Sequence, residues 1–136
     1  METGVLEPVI YIVDDDPAVR RALARLVGSV GLRVEVFGTP EEFLNTGAAR
    51  PVGCLLLDIH FPGMNGFELH DRLVGAGMHV PVIFITAHPD IHAQAKARQK
   101  DAVAFLEKPF DDRTLFDALE IALDRVVGGE SDQSPL

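Results

Sequence analysis

CLLLDIHFPGMNGFE (54–68) places an apolar run directly before a carboxylate and a turn. The apolar residues 54–57 are typical of a buried β-strand, and Pro62 and Gly63 predict a loop soon afterwards. Asp58 lies between the strand and the loop. Burial of a charged side chain is costly unless the charge is paired or coordinated. Asp58 therefore either caps the strand near the surface or lies at a strand end where something binds it.

Five short apolar runs recur along the chain and alternate with segments of helical periodicity. The runs are VIYIV from Val9, RVEVF from Arg33, GCLLLD from Gly53, VPVIFIT from Val80 and AVAFLEK from Ala102. Their near-continuous apolarity predicts strands that are covered on both faces. Alternating strands and helices favour the α/β class, here a (βα)5 doubly wound five-stranded parallel sheet.

Residues that cap helices mark the boundaries between these segments. Asp16 and Pro17 predict the N-cap and first turn of the first helix, and Gly31 predicts its end. Thr39 and Glu42 have the spacing of a capping box at the start of the second helix. The other three helices are predicted over about 65–73, over 90–100 and over the stripe of apolar residues at 115–126.

Composition limits the domain count and the partners. The chain has 136 residues, with 12 Lys and Arg against 21 Asp and Glu, and a net charge of −9. This length predicts one domain, which we place at 1–127, followed by a flexible C-terminal tail or linker start at 128–136. The acidic balance argues against direct nucleic-acid binding by this chain, because such binding depends on clustered Lys and Arg.

Cysteine content and hydropathy indicate the compartment. Cys54 is the single cysteine, so no disulfide forms within the chain, and its apolar surroundings predict a buried thiol. The N-terminus does not resemble a signal peptide, and no apolar run approaches the roughly 18 residues of a membrane span. We therefore expect a cytoplasmic protein that makes no membrane contact.

Polar side chains follow four of the predicted strands. The aspartates at 14–16 follow the first run, Asp58 ends the third, Thr86 ends the fourth and Lys108 follows the fifth. Ligands bind beyond the carboxyl ends of the strands in an open parallel sheet. Each residue alone has an ordinary explanation, as a helix cap, a strand residue or a solvated charge. Together they predict an oxygen-rich cluster that suits Mg2+ better than Zn2+.

Four motifs resemble the response-regulator receiver domain of two-component signalling. They are VDDD (13–16), LLLDIHFPGMNG (55–66), ITA (85–87) and FLEKPF (105–110), and the resemblance covers residues 8–127. The amino-acid sequences PGMNGFEL, FITAH and FLEKPF are most similar to those of the nitrogen-fixation-regulator subgroup of receivers. The resemblance implies the flavodoxin-like receiver architecture and Mg2+ as the cofactor.

The resemblance also implies a phosphoacceptor and a metal site. Asp58 would accept a phosphoryl group from a phosphohistidine of a sensor histidine kinase or phosphotransfer protein. Asp15 and Asp58 would bind Mg2+ directly, Asp14 would act through water, and His60 would contribute its backbone carbonyl. On this interpretation the chain is a phosphoacceptor signalling domain rather than an enzyme, although self-phosphorylation and autodephosphorylation are expected.

Further roles are implied for the phosphoryl group and the switch. Lys108 and Thr86 would bind phosphoryl oxygens, and the small Ala87 would leave room for the donor. Thr86 and Phe105 would form the conformational switch. The peptide bond between Lys108 and Pro109 is expected to be cis, which is uncommon for X–Pro bonds in general.

Some positions depart from the family pattern or vary within it. His60 and His88 flank the site, two residues after Asp58 and Thr86, where receivers tune the phosphoryl lifetime. Asp101 stands where many receivers have glycine, so we expect an altered turn or an aspartate at positive φ. The downstream target is not identified by any motif, and a phosphorylation-dependent homodimer is a further partner to test.

Three alternatives stay open at this point. The chain is a receiver fragment of a DNA-binding transcription regulator whose output domain follows, or it is a Mg2+-dependent phosphatase that forms an aspartyl phosphate. The phosphatases of the haloacid-dehalogenase type need an acid two residues after the nucleophile, where this chain has His60. A flavodoxin-like FMN binder would need Ser, Thr or Gly after the first strand, where this chain has aspartates that repel phosphate.

Overall fold

The computed structural model describes residues 8–46 and 52–132. The elements in chain order are β1 (Val9–Val13), α1 (Pro17–Gly28), β2 (Arg33–Phe37), α2 (Pro40–Thr46), β3 (Val52–Asp58), α3 (Gly66–Gly75), β4 (Val82–Thr86), α4 (Ile91–Gln99), β5 (Ala104–Glu107) and α5 (Asp112–Asp132). All strand pairs are parallel, and the strand order is β2-β1-β3-β4-β5. The predicted (βα)5 doubly wound sheet is confirmed.

Each face of the sheet is covered by its own set of helices. Tyr11 of β1 packs on one face with residues of α2, α3 and α4, among them Phe43 and Phe67. Ile10 and Ile12 pack on the other face with residues of α1 and α5. Successive side chains of a strand point to opposite faces, so a fully apolar strand such as β1 fills both cores.

The second strand is less covered than its sequence predicts. Phe37 is the only buried residue of β2, and the exposed Val36 contradicts the expectation of a strand covered on both faces. The cause is the position of β2 at one edge of the sheet, where β1 is its only strand neighbour. β5 lies at the opposite edge, and its only buried residue is Leu106.

Capping residues start the first two helices as predicted. Asp16 is the N-cap of α1, and its carboxylate accepts a hydrogen bond from Ala18 N at 2.9 Å. Thr39 Oγ1 accepts one from Glu42 N at 3.0 Å before α2. The carboxylate of Glu42 accepts a hydrogen bond from Gly38 N at 2.7 Å. In a capping box this carboxylate would accept from the backbone N–H of the N-cap residue, here Thr39, which is one position later. The loop after β2 is therefore pinned to α2.

The last helix runs past the predicted domain boundary. α5 continues to Asp132, so the backbone of 128–132 is helical, and the assignment of 128–136 to a flexible tail or linker start stays a prediction. The remainder of that tail, 133–136, lies outside the described residues. Across the ranges that the structure describes, no helix has both the length and the apolar character that a membrane crossing requires.

The turn before β5 contains an aspartate with a left-handed backbone. Asp101 has φ = 57°, a region that favours glycine and that aspartate tolerates better than most residues. Arg125 Nη1 of α5 donates a hydrogen bond to the carbonyl of Asp101 at 3.1 Å. Asp101 therefore adopts the positive φ of this turn in place of a glycine, and the hydrogen bond from Arg125 holds its carbonyl.

A glycine allows α3 to begin against the backbone of β3. Gly66 N donates to Ile59 O at 3.2 Å, and a Cβ at Gly66 would lie only 2.4 Å from the carbonyl oxygen of Asp58. Any side chain at this position would push the start of α3 away from the strand end. Gly66 thereby sets the distance between α3 and the residue that ends β3.

This contact predicts the effect of Gly66→Ala. The added methyl group overlaps backbone atoms that cannot rotate away, so the free energy of unfolding should fall by about 1–3 kcal/mol. Gly75→Ala is the matched control in the same helix, because a methyl group there would meet nothing within 4 Å. Urea unfolding of both variants tests the prediction, and equal stability of the two would contradict it.

Candidate functional site

The carboxyl ends of four strands bring the predicted residues to one edge of the sheet. Asp14 follows β1, Asp58 ends β3, Thr86 ends β4 and Lys108 follows β5. The first three are buried, with 0%, 5% and 0% of their surfaces exposed. Main-chain hydrogen bonds continue past the strands, and Lys108 N donates to Thr86 O at 2.8 Å. The site is therefore built on the most regular part of the fold.

A lysine ammonium group joins the two buried carboxylates. Lys108 Nζ lies 2.7 Å from Asp14 Oδ2 and 3.3 Å from Asp58 Oδ2. The other oxygen of each carboxylate accepts from the backbone two residues later: Asp14 from Asp16 N at 2.9 Å and Asp58 from His60 N at 3.1 Å. Both carboxylates are thus held in fixed orientations by charged and neutral donors.

Burial and charge shift two pKa values in this cluster. Loss of water around Asp14 raises its pKa, and the hydrogen bonds from Lys108 and Asp16 N offset only part of the effect. Burial by itself lowers the pKa of Lys108, but the hydrogen bond to Asp14 and the charge of Asp58 outweigh it, and the net shift is upwards. The ammonium group stays charged, whereas the ionised form of Asp14 carries a cost.

Three carboxylates are close enough to share a cation. One oxygen from each of Asp14, Asp15 and Asp58 lies within 4.8 Å of the others, and Asp15 is exposed. With Lys108, the formal charge is −3 + 1 = −2, which matches a divalent ion. Cys54 is buried among apolar side chains, and burial raises the pKa of its thiol, so it is no metal ligand here. The oxygen-only donor set fits a hard cation such as Mg2+.

The rim of the site contains the remaining residues that the resemblance implied. Thr86 Oγ1 accepts a hydrogen bond from His88 N at 3.0 Å, and Ala87 between them is exposed. The rings of His60 and His88 lie edge to face with their centroids 6.1 Å apart. The Lys108–Pro109 peptide bond is cis.

Phe105 lies away from the carboxylates, on β5. It is partly buried, pairs with Phe84 of β4 in the sheet and packs against the core on the side of α4. It also lines a groove between α4 and β5. The other residues of that groove are Gln94, Ala97, Arg98, Ala102 and Ala104.

Sequence reasoning missed two residues that shape the site. Arg20 of α1 donates a hydrogen bond from Nη1 to the carbonyl of Asp14 at 2.7 Å. Gly66 contacts the carbonyl of Asp58, as described above. Gly66 falls within one of the four motifs, so its position was visible although its role was not. Arg20 carries no sequence signal that separates it from the neighbouring Arg21.

Comparison with known families agrees with this geometry. The family model of the response regulator receiver domain matches residues 10–120. The chain belongs to this family. The resemblance inferred from the four motifs is therefore confirmed, and the chain is a signalling domain of the two-component type. Family membership also decides against the phosphatase and FMN-binding alternatives.

Several characterised relatives are response regulators. The response regulator protein TmoT of Ectopseudomonas mendocina is 44% identical over 86% of this chain and 53% of its own length. The transcriptional regulatory protein FixJ of Azorhizobium caulinodans is 39% identical over 85% of this chain and 55% of its own. The chain therefore spans about half the length of these relatives, and the similarity to the nitrogen-fixation-regulator subgroup is confirmed.

Solved structures share the fold. The crystal structure of FixJ-N has a TM-score of 0.79 and 33% identity, covering 88% of this chain and 96% of that one. The response regulator StyR has a TM-score of 0.81 and 39% identity, covering 93% of this chain and 67% of that one. The receiver architecture is thus confirmed by structures that are also related in sequence.

The raised pKa of Asp14 predicts a stabilising substitution. Above pH 3.8, the ordinary pKa of an aspartate, the unfolded chain gives up this proton more readily than the folded protein does, so ionised Asp14 lowers the free energy of unfolding. Asp14→Asn removes that cost and keeps one of the two accepting oxygens, so the loss of the other acceptor offsets part of the gain. In metal-free buffer at pH 7 we expect the free energy of unfolding of Asp14→Asn to be higher than that of the native chain by on the order of 1 kcal/mol. Most single substitutions change the free energy of unfolding by a similar amount but lower it.

The pH dependence of this gain distinguishes it from a general charge effect. The gain should grow as pH rises through the interval between 3.8 and the raised pKa, and should vanish below 3.8, where both states are protonated. Asp124→Asn, an exposed change of the same charge on α5, is the control. Chemical denaturation over a pH series measures both variants, and a gain that is independent of pH would contradict the assignment.

Proposed function

We propose that this domain accepts a phosphoryl group on Asp58 from a phosphohistidine of a sensor histidine kinase or phosphotransfer protein. The observation that carries the proposal is the carboxylate of Asp58 at the end of β3, fixed by Lys108 and His60 N beside the acidic pair. A carboxylate is an effective nucleophile only when it is oriented and its repulsion from an anionic donor is neutralised.

The proposed step is an in-line displacement. An oxygen of Asp58 forms a bond to phosphorus as the bond from phosphorus to the histidine nitrogen breaks, and the imidazole leaves with that electron pair. Lys108 is placed to contact a phosphoryl oxygen, because its ammonium group already lies 3.3 Å from Asp58 Oδ2. Mg2+ bound by Asp15, Asp58 and the carbonyl of His60, with Asp14 acting through water, would supply the remaining positive charge.

The added charge provides the signal. An aspartyl phosphate brings about two negative charges and new acceptor oxygens to a site that already holds Asp14 and Asp15. The hydroxyl of Thr86 would donate to one of those oxygens, and the small, exposed Ala87 would leave the approach open. Movement of Thr86 would vacate buried space beside Phe105, which then packs inward. The switch therefore depends on packing, since Phe105 has no hydroxyl group.

An apolar cleft beside the site supports the choice of a protein phosphodonor. It lies between α1 and the β5–α5 loop, and Lys108 and Ala87 are among the residues that line it. Most of its lining is apolar, so a partner helix could bury hydrophobic side chains there while presenting its phosphohistidine to Asp58. The apolar residues of the cleft include Val19, Leu23, Leu26, Pro109 and Phe110.

The output of the whole protein is a second proposal. Relatives named transcriptional regulatory proteins are about twice as long as the region they share with this chain. We propose that this receiver controls a DNA-binding output domain in the same way. The genomic reading frame tests this, because a helix-turn-helix segment should follow residue 136. A stop codon there, with no such segment, would contradict it.

The metal site predicts stabilisation by Mg2+. Binding to the folded state alone should raise the free energy of unfolding by about 1.4 kcal/mol at a Mg2+ concentration ten times Kd. Asp15→Asn should lose most of this gain because it removes the exposed carboxylate, whereas Asp124→Asn should keep it. Thermal unfolding with 0 and about 10 mM Mg2+ measures the effect. Equal melting temperatures for the native chain would contradict the metal site.

The phosphoacceptor is tested by intact mass after incubation with acetyl phosphate. The native chain should gain one phosphoryl adduct that requires Mg2+, and Asp58→Asn should gain none because its amide is not a nucleophile. Asp117→Asn, an exposed change of equal charge on α5, should behave as the native chain does. An adduct on the Asp58→Asn variant, or a native chain that binds neither phosphoryl nor beryllofluoride, would overturn the proposal.

A further inference from the structure

Arg20 reaches from α1 to the turn that carries the acidic pair. Its Nη1 lies 2.7 Å from the backbone carbonyl oxygen of Asp14, a short charge-assisted hydrogen bond. The side chain of Asp14 is already held by Lys108 and Asp16 N, and Asp14 N donates to Phe37 O. The contact from Arg20 holds the remaining polar group of this residue.

That carbonyl belongs to the peptide unit that joins Asp14 to Asp15. The orientation of a planar peptide unit sets ψ of the residue before it and φ of the residue after it. Holding this carbonyl therefore restricts φ of Asp15, and with it the direction in which the Asp15 side chain leaves the backbone. Asp15 is exposed, and one of its carboxylate oxygens lies within 4.8 Å of oxygens of Asp14 and Asp58.

The loop after β2 holds the guanidinium group in place. A Cβ at Gly38 would lie 3.2 Å from Arg20 Nη1 and 3.7 Å from its Cζ, so the guanidinium lies against the glycine backbone. Gly38 N in turn donates to the carboxylate of Glu42 at 2.7 Å. Arg20 is thus packed between a pinned loop and the Asp14 carbonyl, which limits the freedom of its long side chain.

We propose that Arg20 is a positioning residue for the divalent cation, holding the Asp14–Asp15 peptide so that the carboxylate of Asp15 points into the site. The inference rests on the proposed function, because it assumes that Asp15 binds the cation. Residues that orient metal ligands through hydrogen bonds typically change metal affinity by 10–100-fold when they are removed. Arg20 would act in this way through a backbone carbonyl rather than through a ligand side chain.

Positioning and simple electrostatics predict opposite results for Arg20→Met. Arginine is a cation close to a site for another cation, so its removal should strengthen Mg2+ binding if charge alone mattered. If Arg20 positions Asp15, its removal should weaken Mg2+ binding by about tenfold. Arg21→Met removes the same charge from the next, exposed residue of α1 and serves as the matched control.

The first measurement is Mg2+ affinity by isothermal titration calorimetry for the native chain and the two methionine variants. We expect a Kd about tenfold higher for Arg20→Met and a Kd equal to or below the native value for Arg21→Met. An unchanged or lower Kd for Arg20→Met overturns the inference. If the native chain itself binds no Mg2+, the proposed metal site fails, which is a distinguishable result.

A second measurement separates positioning from loss of structure. The rate of adduct formation from acetyl phosphate is followed as a function of Mg2+. For Arg20→Met the half-saturating Mg2+ concentration should rise about tenfold, while the rate at saturating Mg2+ stays within about twofold of native. A rate that stays low at saturating Mg2+ would show a damaged site and contradict the proposal. Arg20→Lys retains a charged donor and should recover most of the affinity; failure to do so also counts against it.

Discussion

The burial of Asp14 beside Asp58 is the constraint on which the rest of the structure depends. The strand order places β1 next to β3, so the residues at the ends of these strands meet at the edge of the sheet. Two buried carboxylates repel, and burial makes the repulsion more costly than it is in water. Lys108 lies between them and offsets part of this cost. The domain therefore folds around a cluster of carboxylates whose charge Lys108 compensates only in part.

The scaffold orients the two buried carboxylates through backbone groups. The second oxygen of each buried carboxylate accepts from an N–H two residues later, and the Asp14 carbonyl accepts from Arg20. The Asp58 carbonyl is packed against Gly66 instead, where a larger residue does not fit. These contacts orient the carboxylate oxygens towards a common point. The cost of burying the two carboxylates and their precise orientation thus have the same origin, since neither carboxylate is free to turn away.

The helices, the strands and the polar residues at the strand ends were predictable because each depends on the residue types of a short stretch of sequence. Apolar runs placed all five strands, and Asp16 predicted the start of α1 through its capping chemistry. The exposure of Val36 was not predicted, because an apolar side chain does not by itself show that its strand lies at the sheet edge, although Arg33 and Glu35 set this strand apart from the others. Sequence patterns also left Arg20 unmarked. Its partner is a backbone carbonyl six positions earlier, and a main-chain contact of this kind leaves no trace in residue type.

α4 is anchored to the rest of the domain by few buried side chains. Ala97 is the only buried residue of α4, and Ile91 at its start is 80% exposed. Lysines at the end of the helix make three further contacts with α3. Lys100 pairs with Asp71, and Lys96 Nζ and Lys100 Nζ lie 5.4 Å and 5.9 Å from the centre of the Phe67 ring.

Exposed polar contacts of this kind contribute little free energy compared with buried apolar area, so α4 is held less firmly than α1 or α5. Elements of low local stability are the ones that rearrange when a buried site changes. Phe105 lies in the groove between α4 and β5, so any movement of this ring alters the few apolar contacts that α4 has. On the proposed function, a charge added at Asp58 would reach the surface through a short path: Thr86 at the end of β4, Phe105 on the neighbouring strand, and the weakly anchored helix beside Phe105.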